Sequence, residues 1–289
     1  MIDGATGTEC EVRSVPQLEH AWNGGAALSH PDIVRGIHED YIGLGAQIVI
    51  TNTFGTSKHA LTEAGVGDQF VEYNQRAVEL ACEARANKQA DDVLVAGGIS
   101  YWSWTGNHPP LDDLRDAVAE QALVMRDAGV DFIMLEMMID IHKMKATLES
   151  ALACGLPAWV GLSCRPNDDG VMCLYNGETL ADTIAALRDY DVPLLNIMHT
   201  SVGYIDECLD IVEANWSGMV GIYPDTGRHE NHHLIQDSVM SPQEFGNFAA
   251  SLEDRNLQLI GSCCGLGVHH LAALRDVMSR GGLAASGMG

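Results

Sequence analysis

Short apolar segments alternate with longer amphipathic segments along almost the whole chain. The apolar segments are rich in β-branched residues, and their near-continuous hydrophobicity is typical of parallel strands that are buried on both faces. In chain order they are MIDGAT, AQIVITNTF, DVLVAGGIS, DFIMLEMM, AWVGLSC, LLNIMH, MVGIYPD and LQLIGSCC. We predict a strand in each of them, although MIDGAT is short enough to make seven strands an alternative.

The segments between these strands show helical periodicity with start and stop signals. Pro31 stands near the first position of the helix predicted over residues 29–45, and Gly129 ends the helix predicted over 109–129. Further helical patterns occupy residues 141–157, 178–190, 202–216, 241–254 and 268–280. Alternating strands and helices predict a single-domain α/β protein, a (β/α)8 TIM barrel over residues 1–280 with a flexible tail at 281–289. A doubly wound open sheet is the alternative.

The charge and the hydrophobic content of the chain exclude several kinds of partner. The net charge of −24 argues against nucleic acid and against an anionic membrane surface as partners. No apolar run reaches the length of a membrane span, and the N-terminal segment lacks the pattern of a signal peptide. We therefore expect a soluble, cytoplasmic protein whose partners are small molecules; the sequence carries no signal for the number of subunits.

Two adjacent cysteines, Cys263 and Cys264, end the last predicted strand. In a (β/α)8 barrel the active site lies at the carboxyl ends of the strands. Zinc in catalytic sites takes three protein ligands, mostly Cys or His, and keeps one position open for substrate. Gly265 and Gly267 would help the chain turn sharply enough for both thiolates to bind one ion. Adjacent cysteines alone are a weak signal, and a redox pair or coincidence are the alternatives.

Several motifs, in order along the chain, resemble those of the homocysteine S-methyltransferase family. They are DGATGT at 3–8, TNTFGTS at 51–57, LE at 135–136, an Asn in strand six, YPDTG at 223–227 and GSCCGLG at 261–267. The resemblance covers essentially the whole chain. It implies a barrel that binds Zn²⁺ through three cysteines, and a zinc-dependent S-methyltransferase of methionine formation. The methyl group would pass from a sulfonium or quaternary ammonium donor to the thiol of homocysteine.

The sequence departs from this family pattern at one zinc ligand. The family's Asn-Cys pair corresponds to Asn196-Ile197, and isoleucine cannot bind zinc. His199 follows two residues later, and side chains at i and i+2 of an extended segment point to the same side. We therefore predict that His199, Cys263 and Cys264 are the metal ligands; the alternative is a decayed site with an ordinary loop histidine.

This ligand set would change the chemistry of the metal. Zinc with three thiolates has a formal charge of −1, whereas two thiolates and a neutral imidazole leave it at 0. The less negative centre should lower the pKa of an incoming thiol further, and nucleophilicity falls as the pKa falls. A site with this weaker nucleophile suits an activated methyl donor, such as a sulfonium or a quaternary ammonium, better than a poor one.

The resemblance also implies substrate-binding residues. The predicted set is Asp3, Gly4, Ala5, Thr6, Glu136 and Asn196. The DGATGT loop would receive the amino-acid end of homocysteine, Glu136 would pair with its ammonium group, and Asn196 would orient the substrate or a loop. An ordinary turn, a helix cap and a structural amide are the respective alternatives.

Three aromatic residues, Tyr101, Trp102 and Trp104, follow strand three on the same side of the barrel. Aromatic faces attract methylated cations by about 0.5–2 kcal/mol each. We predict that these residues line the pocket of the methyl donor, with simple packing of a long loop as the alternative.

Two other functions stay open at this point. The same zinc site could serve a non-standard donor or acceptor, with demethylation as its purpose. A barrel without the third cysteine could also have lost catalysis and bind a metabolite or a protein.

Overall fold

The computed structural model describes residues 1–230, 233–235 and 238–280, and for residues 228–230, 233–235 and 280 it describes the backbone. The strands are β1 (Ile48–Ile50), β2 (Leu94–Ile99), β3 (Phe132–Met138), β4 (Ala158–Leu162), β5 (Cys164–Pro166), β6 (Met172–Leu174), β7 (Leu194–Ser201), β8 (Met219–Asp225), β9 (Arg228–Glu230), β10 (His233–Ile235) and β11 (Leu259–Ile260). The helices are α1 (Thr6–Val12), α2 (Ala26–Ser29), α3 (Pro31–Gly43), α4 (Lys58–Glu63), α5 (Phe70–Asn87), α6 (Leu111–Ala128), α7 (Ile141–Leu152), α8 (Leu180–Ala186), α9 (Ile205–Asn215), α10 (Pro242–Ser251) and α11 (Val268–Arg280). The predicted tail at 281–289 lies outside the described residues.

Seven parallel strands form the central sheet, in the order β1-β2-β3-β4-β7-β8-β11. The first residues of the chain lie between its two edges. Ile2 N donates to Ile260 O at 3.0 Å, and Asp3 N donates to Ile48 O at 3.0 Å. The MIDGAT segment thus occupies the first of the eight predicted strand positions, but it does so with a single bridge rather than a ladder.

Side chains alternate between the inside of the barrel and the surrounding helices. Leu194 and Met198 of β7 belong to an inner cluster that also contains Ile2 and Phe132. Leu195 and Ile197 of the same strand instead pack in the layer between sheet and helices. This period of two is what a strand buried on both faces requires.

The helical patterns named from the sequence contain α3 and α6 to α11. The helix α5, which has 18 residues and lies between β1 and β2, was not predicted from the sequence. Of its eight buried residues, four are small or polar, namely Asn74, Ala77, Ala81 and Ala84. Small and polar residues at the buried positions weaken the apolar stripe by which an amphipathic helix is recognised. Within the described part of the chain, no helix has the length and apolar character to cross a membrane.

Candidate active site

Three side chains that can bind a metal meet at the carboxyl ends of the strands. Nδ1 of His199 lies 3.0 Å from the sulfur of Cys263, and the sulfurs of Cys263 and Cys264 are 3.8 Å apart. The three ligand atoms all lie within 4.8 Å of one another. His199 and Cys263 are buried. The structure therefore brings together the residues that the sequence predicted as a ligand set.

His199 reaches this cluster by a route that differs from the predicted one. An extended strand would point His199 to the same side as Ile197, and Ile197 packs towards the helices. The register of β7 against β8 instead shifts between Met198 and Ser201, and His199 has a φ of +46°. This bulge turns the imidazole into the mouth of the barrel. His199 therefore reaches the cluster through the bulge, and not through the i, i+2 spacing from Ile197 that was predicted.

Hydrogen bonds from neighbouring segments fix this bulge. Ser163 Oγ donates to Met198 O at 2.9 Å, and Tyr175 OH donates to His199 O at 3.1 Å. Thr200 Oγ1 accepts from Cys164 N at 2.9 Å. A non-glycine residue in the left-handed region costs about 1–3 kcal/mol and persists only when its surroundings hold it there. The β5–β6 hairpin, which was not predicted, thus supports the position of His199.

Glu136 is the carboxylate beside the cluster. Its Oε2 lies 3.4 Å from His199 Nε2, and it is 5% exposed. β3 also has a register shift next to it, and Met137 has a φ of +57°. Two irregular strand ends therefore hold the carboxylate and the imidazole together.

The electrostatics of the cluster favour a positive charge. Burial alone would lower the pKa of His199, but hydrogen bonds and charges of Cys264 and Glu136 outweigh it and raise the pKa to about 10. Burial raises the pKa of Cys263 well above its ordinary value, and the neighbouring Cys264 raises it further. The positive charge can be supplied by a proton on the imidazole or by a metal cation that binds the sulfurs as thiolates.

The donor set fits zinc. Two thiolates and an imidazole are ligands that Zn²⁺ prefers, and three protein ligands leave its fourth position open. With zinc–sulfur bonds of about 2.3 Å, two sulfur ligands of a tetrahedral ion lie about 3.8 Å apart. The two cysteine sulfurs already have this separation.

An inner cavity lies against the cluster. Its lining includes Ala5, Thr6, Gly7, Trp22, Asn52, Phe54, Glu136, Tyr223, His199 and both cysteines. Three of the predicted substrate-binding residues, Ala5, Thr6 and Glu136, line this cavity. The remaining three predicted substrate residues, Asp3, Gly4 and Asn196, are outside its lining.

Those three residues are buried behind the cavity. Asp3 Oδ2 accepts from Ile50 N at 2.7 Å, and its Oδ1 accepts from Tyr223 OH at 3.2 Å. Gly4 O accepts from the same hydroxyl at 2.9 Å. Asn196 is fully buried, facing the barrel interior between Leu194 and Met198. Asp3 therefore binds two residues that line the cavity, Ile50 and Tyr223, without lining it itself.

A second, outer cavity of about 240 Å³ shares Trp22, Phe54, His199 and Cys264 with the inner one. Its walls are Trp22, Phe54, Trp102, Trp104, Met137, Tyr175, His199, Asp225 and Cys264. Phe54 lies with its ring centroid 5.1 Å from that of His199. Trp102 and Trp104 were predicted for a donor pocket. Trp22, Phe54 and Tyr175 were not assigned a role. Phe54 belongs to the TNTFGTS motif, for which no cavity residue was predicted, and Trp22 and Tyr175 lie outside the motifs.

Tyr101, also predicted for the donor pocket, lies elsewhere. It is fully buried, and its hydroxyl accepts from Ile139 N at 2.8 Å and from Asp140 N at 3.0 Å. It thus supports the chain just after β3 and the Glu136 segment.

Comparison with known proteins identifies the family. The family model described as homocysteine S-methyltransferase matches residues 1–278. The chain belongs to this family. The homocysteine S-methyltransferase of Escherichia coli K12 is 25% identical over 95% of this chain and 94% of its own length. The selenocysteine Se-methyltransferase of Brassica oleracea var. italica is 22% identical over 91% of this chain and 84% of its own length. Family membership confirms the predicted resemblance and the enzyme class, a thiol S-methyltransferase.

A solved structure of the family confirms the fold. The metallated form of the homocysteine methyltransferase MmuM from Escherichia coli superposes with a TM-score of 0.78. The two sequences are 23% identical, and the match covers 95% of this chain and 94% of that one.

Proposed function

We propose that this protein is a zinc-dependent S-methyltransferase that moves a methyl group from a sulfonium or quaternary ammonium donor to the thiol of homocysteine. The observation that carries the proposal is that the His199–Cys263–Cys264 cluster contributes lining residues to two cavities. His199 and Cys264 line both cavities. Two small molecules, one in each cavity, would therefore meet at the cluster, and such juxtaposition is a large part of catalysis in group transfer.

The inner cavity suits the acceptor. Ala5, Thr6 and Gly7 line it, and Glu136 supplies a carboxylate. Zn²⁺, when bound by the cluster, supplies the positive charge that lets a thiol lose its proton near neutral pH. A free thiol has a pKa of about 8.5 and ionises only slightly there.

The outer cavity suits a methylated cation. Trp22, Phe54, Trp102 and Trp104 offer aromatic faces or edges, and Asp225 adds a carboxylate. Aromatic rings bind onium groups through their quadrupoles, more strongly when water is excluded. The walls of this cavity would thus hold the donor methyl over the cluster and keep water away from it.

The acceptor could also be a selenol, since a relative is named for selenocysteine. The cluster would accept either element, because thiolates and selenolates are both soft ligands for zinc. Competition between homocysteine and selenocysteine for one donor would decide which is preferred.

The test is methyl transfer from labelled donors to homocysteine by the zinc-loaded protein. The donor panel contains S-methylmethionine, trimethylsulfonium, glycine betaine and choline. We expect activity with at least one donor, and its loss in Cys263→Ser and in His199→Ala. His269→Ala is the matched control, because His269 is exposed on α11 and lies outside the cluster.

Zinc-edge X-ray absorption, with and without homocysteine, complements the assay. Two sulfurs and one nitrogen at the metal, with a third sulfur after homocysteine is added, would support both ligand set and acceptor. Bound zinc that does not respond to homocysteine would direct the search to another acceptor. A protein that binds no zinc and transfers no methyl group would overturn the proposal in favour of a non-catalytic barrel.

A further inference from the structure

We propose that Glu136 is a positioning residue for His199, whose imidazole it holds with Nδ1 directed towards the two cysteines. The inference rests on the proposed metal function of the cluster and goes beyond it. It gives Glu136 a role towards a metal ligand, in addition to the predicted contact with a substrate ammonium group.

The two nitrogens of His199 face different groups. Nδ1 is 3.0 Å from the Cys263 sulfur, whereas Nε2 is 3.9 Å from that sulfur and 3.4 Å from Glu136 Oε2. A histidine that binds a metal through one nitrogen commonly donates the N–H of the other to a carboxylate. That second hydrogen bond fixes the tautomer and the ring orientation. The geometry therefore assigns Nδ1 to the metal and Nε2–H to Glu136.

The carboxylate itself is confined. Glu136 is 5% exposed, and its Oε1 lies so close to β2 that a Cβ on Gly98 would approach it to 2.3 Å. Gly98 is in turn held by Thr53, whose Oγ1 donates to Gly98 O at 2.7 Å. The glycine provides room for the carboxylate, and the strand leaves it little freedom to turn away from His199.

A histidine ligand needs this support and a cysteine ligand does not. A thiolate has a single donor atom and no tautomers, so it gains nothing from a hydrogen-bond acceptor behind it. With a third thiolate at position 199, the zinc centre would have a charge of −1, and the carboxylate of Glu136 would be repelled by it. With histidine at that position the centre is neutral, and this repulsion is absent. The effect of removing Glu136 should therefore depend on which residue stands at position 199.

The experiment is a double-mutant cycle on zinc affinity, measured by competition with a chelator and without any substrate. With histidine at 199, we expect Glu136→Ala to raise the zinc dissociation constant by about 10–100-fold. Glu136→Gln should raise it less, because its amide oxygen still accepts the Nε2 proton. In the His199→Cys background, Glu136→Ala should leave the constant unchanged or lower it.

Equal losses of zinc affinity in both backgrounds would overturn the inference. Glu136 would then act through the fold or through its negative charge, whichever residue stands at position 199. An unchanged constant for Glu136→Ala beside a higher KM for homocysteine would also overturn it, leaving a role in substrate binding alone. A wild-type protein that binds no zinc would overturn the proposed function as well. Tight zinc binding that is insensitive to Glu136 would overturn this inference only.

A spectroscopic measurement covers the case in which a variant folds poorly. Nitrogen-15 NMR of the histidines in the zinc-loaded wild-type protein distinguishes the metal-bound nitrogen from the protonated one. We expect Nδ1 of His199 to bind the metal and Nε2 to carry the proton. The opposite assignment would overturn the inference without any substitution.

Discussion

At the scale of single residues, position in the fold changes the role that a motif suggests. Asp3 belongs to the DGATGT motif, yet its side chain is fully buried between Ile50 N and the hydroxyl of Tyr223. Burial raises the pKa of Asp3 well above the ordinary value of 3.8, and hydrogen bonds only partly oppose it. The folded protein therefore holds a proton on Asp3 at pH values where the unfolded chain does not.

This proton gives a stability prediction for Asp3→Asn. A group whose pKa is higher in the folded protein than in the unfolded chain stabilises the fold while it is protonated. This stabilisation is complete below the pKa of the unfolded chain, and it is lost as the pH rises through the pKa of the folded protein. Asparagine does not titrate, and its amide offers an oxygen to Ile50 N and an NH₂ to Tyr223. We expect the free energy of unfolding of Asp3→Asn, relative to wild type, to increase with pH above about 4.

Urea unfolding of both proteins at several pH values between about 4.5 and 8 measures this difference. A difference that stays constant with pH would show that Asp3 is ionised in the folded state, contrary to the prediction.

At the scale of elements, strand irregularities place the reactive groups. β3 and β7 would be ordinary buried strands by their hydrophobic pattern, but each has a register shift at its carboxyl end. Glu136 and His199 lie at those shifts and face each other. Gly98 on the neighbouring β2 leaves the space that the carboxylate occupies.

Two adjacent glycines of β2 provide a matched pair of variants. A Cβ on Gly98 would meet Glu136, whereas a Cβ on Gly97 would meet the Met125 sulfur at 2.9 Å. Overpacking of either kind costs about 1–3 kcal/mol of stability. We expect Gly98→Ala to raise the zinc dissociation constant and the KM for homocysteine, and Gly97→Ala to change neither.

Zinc competition titrations and steady-state kinetics on both variants test this prediction. Equal changes in the two variants would mean that β2 affects the site through general strain rather than through Glu136.

At the scale of the whole molecule, a very short segment joins the two edges of the sheet. Ile2 bridges β1 and β11, and its side chain is fully buried in the inner cluster. Open sheet edges are costly in a barrel, because their backbone groups lose partners that the closed form supplies.

Ile2→Ala should therefore destabilise the protein by about 2–5 kcal/mol, the range for a large-to-small change in a packed core. Val71→Ala is the control: Val71 is 46% exposed on α5, so its loss should change stability by less than about 0.5 kcal/mol. Urea unfolding monitored by circular dichroism measures both. Similar small losses would show that packing of the Ile2 side chain between the two edges contributes little to stability.

Much of the fold was predictable from local pattern. The alternation of strands and helices, the order of the motifs and the two cysteines after the last strand are all readable along the chain. The strands and helices are recognised from residues two to four positions apart, since those spacings define which face of an element is apolar. The helix α5 was missed for the same reason, because small or polar residues take half of its buried positions.

The chain by itself therefore determined the barrel, the family and the identity of three candidate metal ligands. Tertiary structure decided which way His199 faces, that Asp3 and Tyr101 are buried, and that Trp22, Phe54 and Tyr175 line the outer cavity. The bulge at His199 depends on hydrogen bonds from Ser163 and Tyr175, and the cavity joins loops from several strand ends. Such contacts link residues tens to hundreds of positions apart, so no periodicity along the sequence can encode them.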